Sequence, residues 1–146
     1  MYGFSTLIST LAVALVASIG VQAERHVVHF DNRCGYGTPT LIQGGRVLST
    51  GGDYVSNGPL VAAIAYLQTG ACGFNGENCS LLETTLKNPT FSVTTGFGYY
   101  NGCDGTGNNC KSAGCCPGGA FCTPTDYQSQ RQCQANDVNL AITFCA

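Results

Sequence analysis

Hydrophobic and polar positions alternate with a period of two along most of this chain. His26 to Asp31 sets His26, Val28 and Phe30 against Val27, His29 and Asp31, which predicts a first strand. Thr38 to Gln43 and Arg46 to Thr50 flank Gly44-Gly45, a strong hairpin signal, and Pro39 marks that hairpin as a sheet edge. Ser80 to Leu86 alternates Leu82, Thr84 and Leu86 against Leu81, Glu83 and Thr85. Phe91 to Tyr100 places Phe91, Val93, Thr95, Phe97 and Tyr99 on one face and small or polar residues on the other, ending in Tyr100. Asp137 to Cys145 aligns Val138, Leu140, Ile142 and Phe144 and predicts a strand near the sheet centre.

The alternation breaks between Ser56 and Gly70. Ser56 and Asn57 suit an N-cap, Pro59 suits a first helical position, and Leu60, Val61, Ile64 and Leu67 recur at helical spacing before Gly70. This predicts an amphipathic helix, too short to stand alone, lying on the sheet. The expected fold is therefore α+β: a compact, disulfide-rich α/β sandwich in which packed helices cover a mostly antiparallel central sheet.

Residues 1–23 carry no charged side chain, contain an apolar run from Leu7 to Val21, and end in Val21-Gln22-Ala23, the small-residue pattern of a signal peptidase site. A secretory signal peptide over 1–23 and a single secreted domain over 24–146 are expected, with no membrane association after cleavage. All ten cysteines follow Ala23: Cys34, Cys72, Cys79, Cys103, Cys110, Cys115, Cys116, Cys122, Cys133 and Cys145. That density in a small extracellular chain implies a disulfide framework. Cys72 and Cys79 close the loop Gly73 to Glu77 and are expected to pair, whereas the adjacent Cys115 and Cys116 should each pair elsewhere. Asn101 to Gln134 holds six of the ten and few aliphatic residues, so it reads as a stapled loop region.

The net charge is −2 and the six basic residues are scattered, which argues against a nucleic-acid partner. His26 and His29 are separated by an odd number of residues in a strand and point to opposite faces, so they do not form a metal pair. No Cys-x-x-Cys pair suggests zinc, and the calcium-like opening Asp104-Gly-Thr-Gly-Asn108 meets Cys115 where a bidentate Glu would be needed. No cofactor and no metal are expected. A nucleophile elbow is absent. Glycoside hydrolysis would have to draw on Glu77, Glu83 or Asp104. Asn78-Cys79-Ser80 fits the N-glycosylation sequon.

Cys34 with Thr38 to Gly52, the segment Ala62 to Gly70, and Phe91-Ser-Val-Thr-Thr-Gly-Phe-Gly-Tyr-Tyr-Asn-Gly-Cys-Asp-Gly resemble the small secreted mushroom glycopeptides that include an antiviral, glycan-binding lectin. That resemblance implies a compact α/β sandwich, pairing into a homodimer, and carbohydrate binding in fungal defence without catalysis. A fainter resemblance, to thaumatin-like proteins, rests on Phe30-x-Asn32-x-Cys34, Leu82-Glu83-Thr84-Thr85-Leu86 and Ile142-Thr143-Phe144-Cys145. It implies one carboxylate of an acidic cleft, at Glu83. The Arg-Thr-x-Cys element and two Asp of that family's cleft have no counterpart here.

Sugar binding needs an aromatic plane for the C–H face of a ring and planar polar groups for its hydroxyls. Tyr99, Tyr100, Asn101 and Asp104 supply both where a strand runs into the stapled loop, with Tyr36 and Tyr54 as reserve aromatics. The expected protein is a secreted, non-enzymatic, lectin-like binder of glycans or glycoproteins. The alternatives are a thaumatin-like protein or hydrolase using Glu83, and a structural wall protein.

Overall fold

The computed structural model describes residues 23–87, 92–95, 97–120, 122–123 and 125–145. The signal-peptide expectation, but for Ala23, and the Asn88 to Phe91 entry to the aromatic strand lie outside them. The strands are β1 (His26–Asn32), β2 (Thr38–Gln43), β3 (Arg46–Ser49), β4 (Tyr54–Ser56), β5 (Leu60–Gln68), β6 (Leu81–Leu86), β7 (Ser92–Thr95), β8 (Gly98–Tyr100), β9 (Gln130–Cys133) and β10 (Asn139–Phe144). They form a four-stranded sheet, β4-β1-β10-β8, and a six-stranded sheet, β3-β2-β5-β6-β7-β9. Only two short 3-10 turns, Ala113–Cys115 and Tyr127–Ser129, add helical character among the described residues.

The α+β expectation is thus overturned: the fold is mostly β, two sheets packed on each other, with no helix covering a central sheet. The segment predicted as a helix is β5, in the middle of the larger sheet between β2 and β6. A bulge between Leu60 and Ala63, with Ala62 at φ 51°, inserts an extra residue. Leu60, Ala63 and Ala65 then face the core together, while Ile64 and Tyr66 face outward. Tyr66 is nonetheless 2% exposed, because the loop after β5 folds over it and accepts its hydroxyl hydrogen at the Phe74 carbonyl. A strand with apolar residues on both faces reads as a continuous apolar run, and the bulge gave that run a helical spacing.

The core lies between the sheets. Val28, Phe30, Leu140, Ile142 and Tyr99 come from the smaller sheet and meet Leu41, Leu60, Ala63, Ala65, Leu82 and Leu86 from the larger. The alternation predicted for β1, β6 and β10 is present, so these are the elements whose period-two pattern faces one core and one outer surface. Gly44 and Gly45 both take positive φ in the β2–β3 turn, as the hairpin signal requires. The hairpin lies at the edge of the larger sheet, as expected, with β3 outermost; β3 pairs with β2 over Leu41 to Gln43, and Pro39 falls before that pairing begins.

The predicted Phe91 to Tyr100 strand is divided. β7 belongs to the larger sheet and β8 to the smaller, so the chain crosses from one to the other between Thr95 and Gly98. β1 and β10 run parallel, with Val28 opposite Leu140 and Phe30 opposite Ile142, and the Cys34–Cys145 disulfide closes their ends. The structure pairs every cysteine: Cys34–Cys145, Cys72–Cys79, Cys103–Cys133, Cys110–Cys115 and Cys116–Cys122. Cys72 and Cys79 join as expected, and Cys115 and Cys116 go to different partners.

Candidate functional site

β8 decides what the Tyr99-Tyr100 pair can do. Strand alternation sends the two rings to opposite sides. Tyr99, opposite Leu140, is 4% exposed in the core and donates its hydroxyl to the Arg131 carbonyl. It supports the strand from below and is closed to a ligand. Tyr100, opposite Asn139, stands half-buried on the outer face of the four-stranded sheet. Burial raises its phenol pKa, the Asp53 carboxylate adds to that rise, and the Arg25 guanidinium opposes it.

After Tyr100 the chain turns through Asn101 at φ 54° and Gly102 at φ 134°. A side chain at Gly102 would place its Cβ 2.8 Å from that of Ala135, so the turn lies tight against the β9–β10 connection. Asp104 closes it, accepting the backbone N–H of Asn101 at 3.3 Å and of Gly102 at 3.1 Å. Its carboxylate shapes the loop first. The Asn101 side chain is exposed at the tip. Cys103–Cys133 anchors the turn to β9.

The next residues extend the smaller sheet: Gly98 bridges Gly107, the Tyr99 N–H donates to Thr106, and the Asn108 N–H donates to Phe97. Beside Tyr100, Phe97, Gly98, Gly105, Thr106, Gly107, Asn108 and Asn109 line an open cleft of about 320 Å³. Three of its seven lining residues are glycines. Gly107 is required, because a Cβ there would collide with the Phe97 carbonyl. The Asn108 amide is held by the Ser129 carbonyl, while Asn109 is exposed at the rim. An open, shallow, uncharged cleft flanked by a tyrosine suits a neutral polyhydroxylated ligand.

The other candidates lie elsewhere. Glu83 is exposed on the outer face of the six-stranded sheet opposite Ile64, across the sandwich from β8 and Tyr100. Glu77 sits in the Cys72–Cys79 loop, where hydrogen bonds from its own backbone N–H, then from the Asn75 backbone and amide, hold its carboxyl below the usual range. Asn78 is exposed at φ 63° beside the disulfide-bonded Cys79. Tyr36 is exposed in the β1–β2 turn, and Tyr54 packs on the core. His26 is fully buried, between the Val138 carbonyl at 2.7 Å and Glu24 at 2.9 Å. No group of His, Cys, Asp and Glu among the described residues could hold a metal ion.

Sequence reasoning passed over His29 and Asp53. They share the outer face with Tyr100 and are joined by a 2.6 Å hydrogen bond. The alternation of β1 showed His29 pointing away from the core, but nothing in the sequence paired β1 with β10 and β10 with β8. Comparison with known proteins found no matching family model, no similar curated protein and no similar solved structure.

Proposed function

We propose that this chain is a secreted, non-catalytic glycan-binding protein that acts in defence through the outer face of its smaller sheet. The observation that carries the reading is Tyr100, half-buried on that face in the strand whose Gly98 lines an open uncharged cleft, with Asn101 exposed next to it and Asn109 exposed at the cleft rim. An aromatic side chain held by a sheet, with amides nearby, offers both halves of sugar recognition at small entropic cost. The likeness of Phe91 to Gly105 to the mushroom glycopeptides points the same way. The fold which that likeness implied is not the one found, so the proposal rests on the site.

Secretion is supported by five disulfides, which persist in oxidising compartments, and by the signal pattern over 1–23. No helix among the described residues is long and apolar enough to cross a membrane. A hydrolase pairing Glu83 with Asp104 gains no support. Glu83 stands on the outer face of β6, and the Asp104 carboxylate is taken up by the backbone N–H groups of Asn101 and Gly102.

A glycan array on the secreted protein, beside a reducing-sugar release assay, tests the reading. Tyr100→Ala should weaken array binding by about one to two powers of ten with the fold intact, and Glu83→Gln should change nothing. Normal binding by Tyr100→Ala together with sugar release that Glu83→Gln abolishes would replace the lectin reading of this loop with an enzymatic one.

A further inference from the structure

The outer face of the four-stranded sheet does not end at Tyr100. Its register sets His29 opposite Ala141 and Ala141 opposite Gly98, and His29 bonds Asp53 just before β4. In the neighbouring row Val55, Val27, Asn139 and Tyr100 follow one another across the same four strands. Adjacent strands lie about 4.8 Å apart, so His29 stands two strands, roughly 10 Å, from Gly98, with Asp53 one strand further. The register continues to Asp53, next to Tyr54 opposite Val28, which sets the His29–Asp53 pair and Tyr100 on the same outer face.

Between these poles the surface is low. Ala141 presents one methyl and Gly98 none, and a Cβ built on Gly98 would meet no atom within 4 Å. The result is a strip running across the strands, raised at one end by Tyr100 and at the other by His29 and Asp53. The His29–Asp53 pair is about half exposed, 50% and 57%, and exposed ion pairs add little to stability. It does supply fixed polar groups. With Nδ1–H donated to Asp53 Oδ1, a neutral His29 turns Nε2 outward as an acceptor, and Asp53 Oδ2 is a second one.

We propose that the ligand is an oligosaccharide laid across the strands from Tyr100 to the His29–Asp53 pair, whose acceptors bind hydroxyls of a distal ring and so set a preference for length. This rests on the glycan-binding reading of Tyr100 and is separable from it. The experiment is calorimetric titration of the mature chain, its His29→Ala and Asp53→Asn variants, and Tyr100→Ala. The probes are chito-oligosaccharides and laminari-oligosaccharides from the monosaccharide to the tetrasaccharide.

In whichever series binds, the trisaccharide should bind about tenfold more tightly than the monosaccharide. His29→Ala and Asp53→Asn should remove that gain and leave the monosaccharide unchanged, whereas Tyr100→Ala should lower both. A flat length series, or trisaccharide affinity untouched by His29→Ala and Asp53→Asn while Tyr100→Ala still weakens binding, would overturn the extended site and leave the lectin reading standing. Absence of binding to every probe would overturn the extended site for these sugars. If Tyr100→Ala also leaves glycan-array binding unchanged, the lectin reading falls with it.

Discussion

The two-sheet sandwich and the segment Asn101 to Gln134 are stabilised by different physics. In the sandwich, strands bury Val28, Leu41, Leu60, Leu82, Leu86, Leu140 and Ile142 to 1% exposure or less. Within Asn101 to Gln134, only Ser129 and Cys133 are buried among the described residues. That segment is held instead by Cys103–Cys133, Cys110–Cys115 and Cys116–Cys122, and by polar ties to its backbone. The Arg131 guanidinium donates to the carbonyls of Gly107, Gly118, Gln128 and Gln130, binding three turns to β9. Asp126 accepts the Thr123 hydroxyl and the N–H groups of Cys122 and Thr123, which in that order hold its carboxyl below the usual range. A region that needs no apolar side chains for its own stability can leave glycine backbone and amides at the surface, and the candidate cleft lies where this region meets the sandwich.

The largest expected effect separates the two kinds of cross-link. Cys34–Cys145 spans 111 positions and Cys110–Cys115 only 5. On chain-entropy grounds, replacing the first pair by alanine should cost about 5 kcal/mol and replacing the second about 2 kcal/mol. Urea denaturation measures both. Equal costs would mean that the short bridge does more than close its own loop.

The next contrast lies within the sandwich. Leu82→Ala empties a fully buried site between the sheets and should cost about 2 to 5 kcal/mol. Ile64→Ala, on the partly exposed outer face of β5, should cost under about 1.5 kcal/mol. The reverse order in chemical denaturation would put Ile64 in the core and contradict the bulged strand.

The smallest effect belongs to Asp126. Its folded pKa lies below its unfolded value, so its contribution is present above the unfolded pKa and is lost as pH falls through the folded one. Between about pH 5 and pH 2 the denaturation midpoint of the native protein should therefore fall more than that of Asp126→Asn. Parallel curves would show that the carboxylate does not hold its turn.

Much of the β architecture was legible. β1, β6 and β10 each pack one face on the core and leave the other outward, so their period-two alternation had a physical cause and predicted them correctly. β5 was misread because its outer face carries the apolar Val61, Ile64 and Tyr66, the last under the following loop, and because it holds an extra residue at Ala62. Those features erase the alternation and imitate a helix. The β7–β8 division was hidden for another reason: one uninterrupted alternation spans two strands of different sheets. Of the candidate site, Tyr100 and its loop were visible as a local cluster, while the pairing of His29 with Asp53 was not, since the alternation within one strand says nothing about which strands become its neighbours.

What the sequence determined by itself is local: where strands run, where Gly44-Gly45 turns the chain, that ten cysteines can pair completely, and that Tyr99 and Tyr100 must face opposite ways. Each follows from the chirality and period of the backbone, which a few neighbouring residues express. Tertiary structure alone decided that β1 and β10 lie side by side, that β8 joins them, and hence that His29, Asp53 and Tyr100 occupy one face. Strand order depends on which apolar faces bury each other best across the whole chain. That is a property of the assembled core, which no single stretch of residues carries.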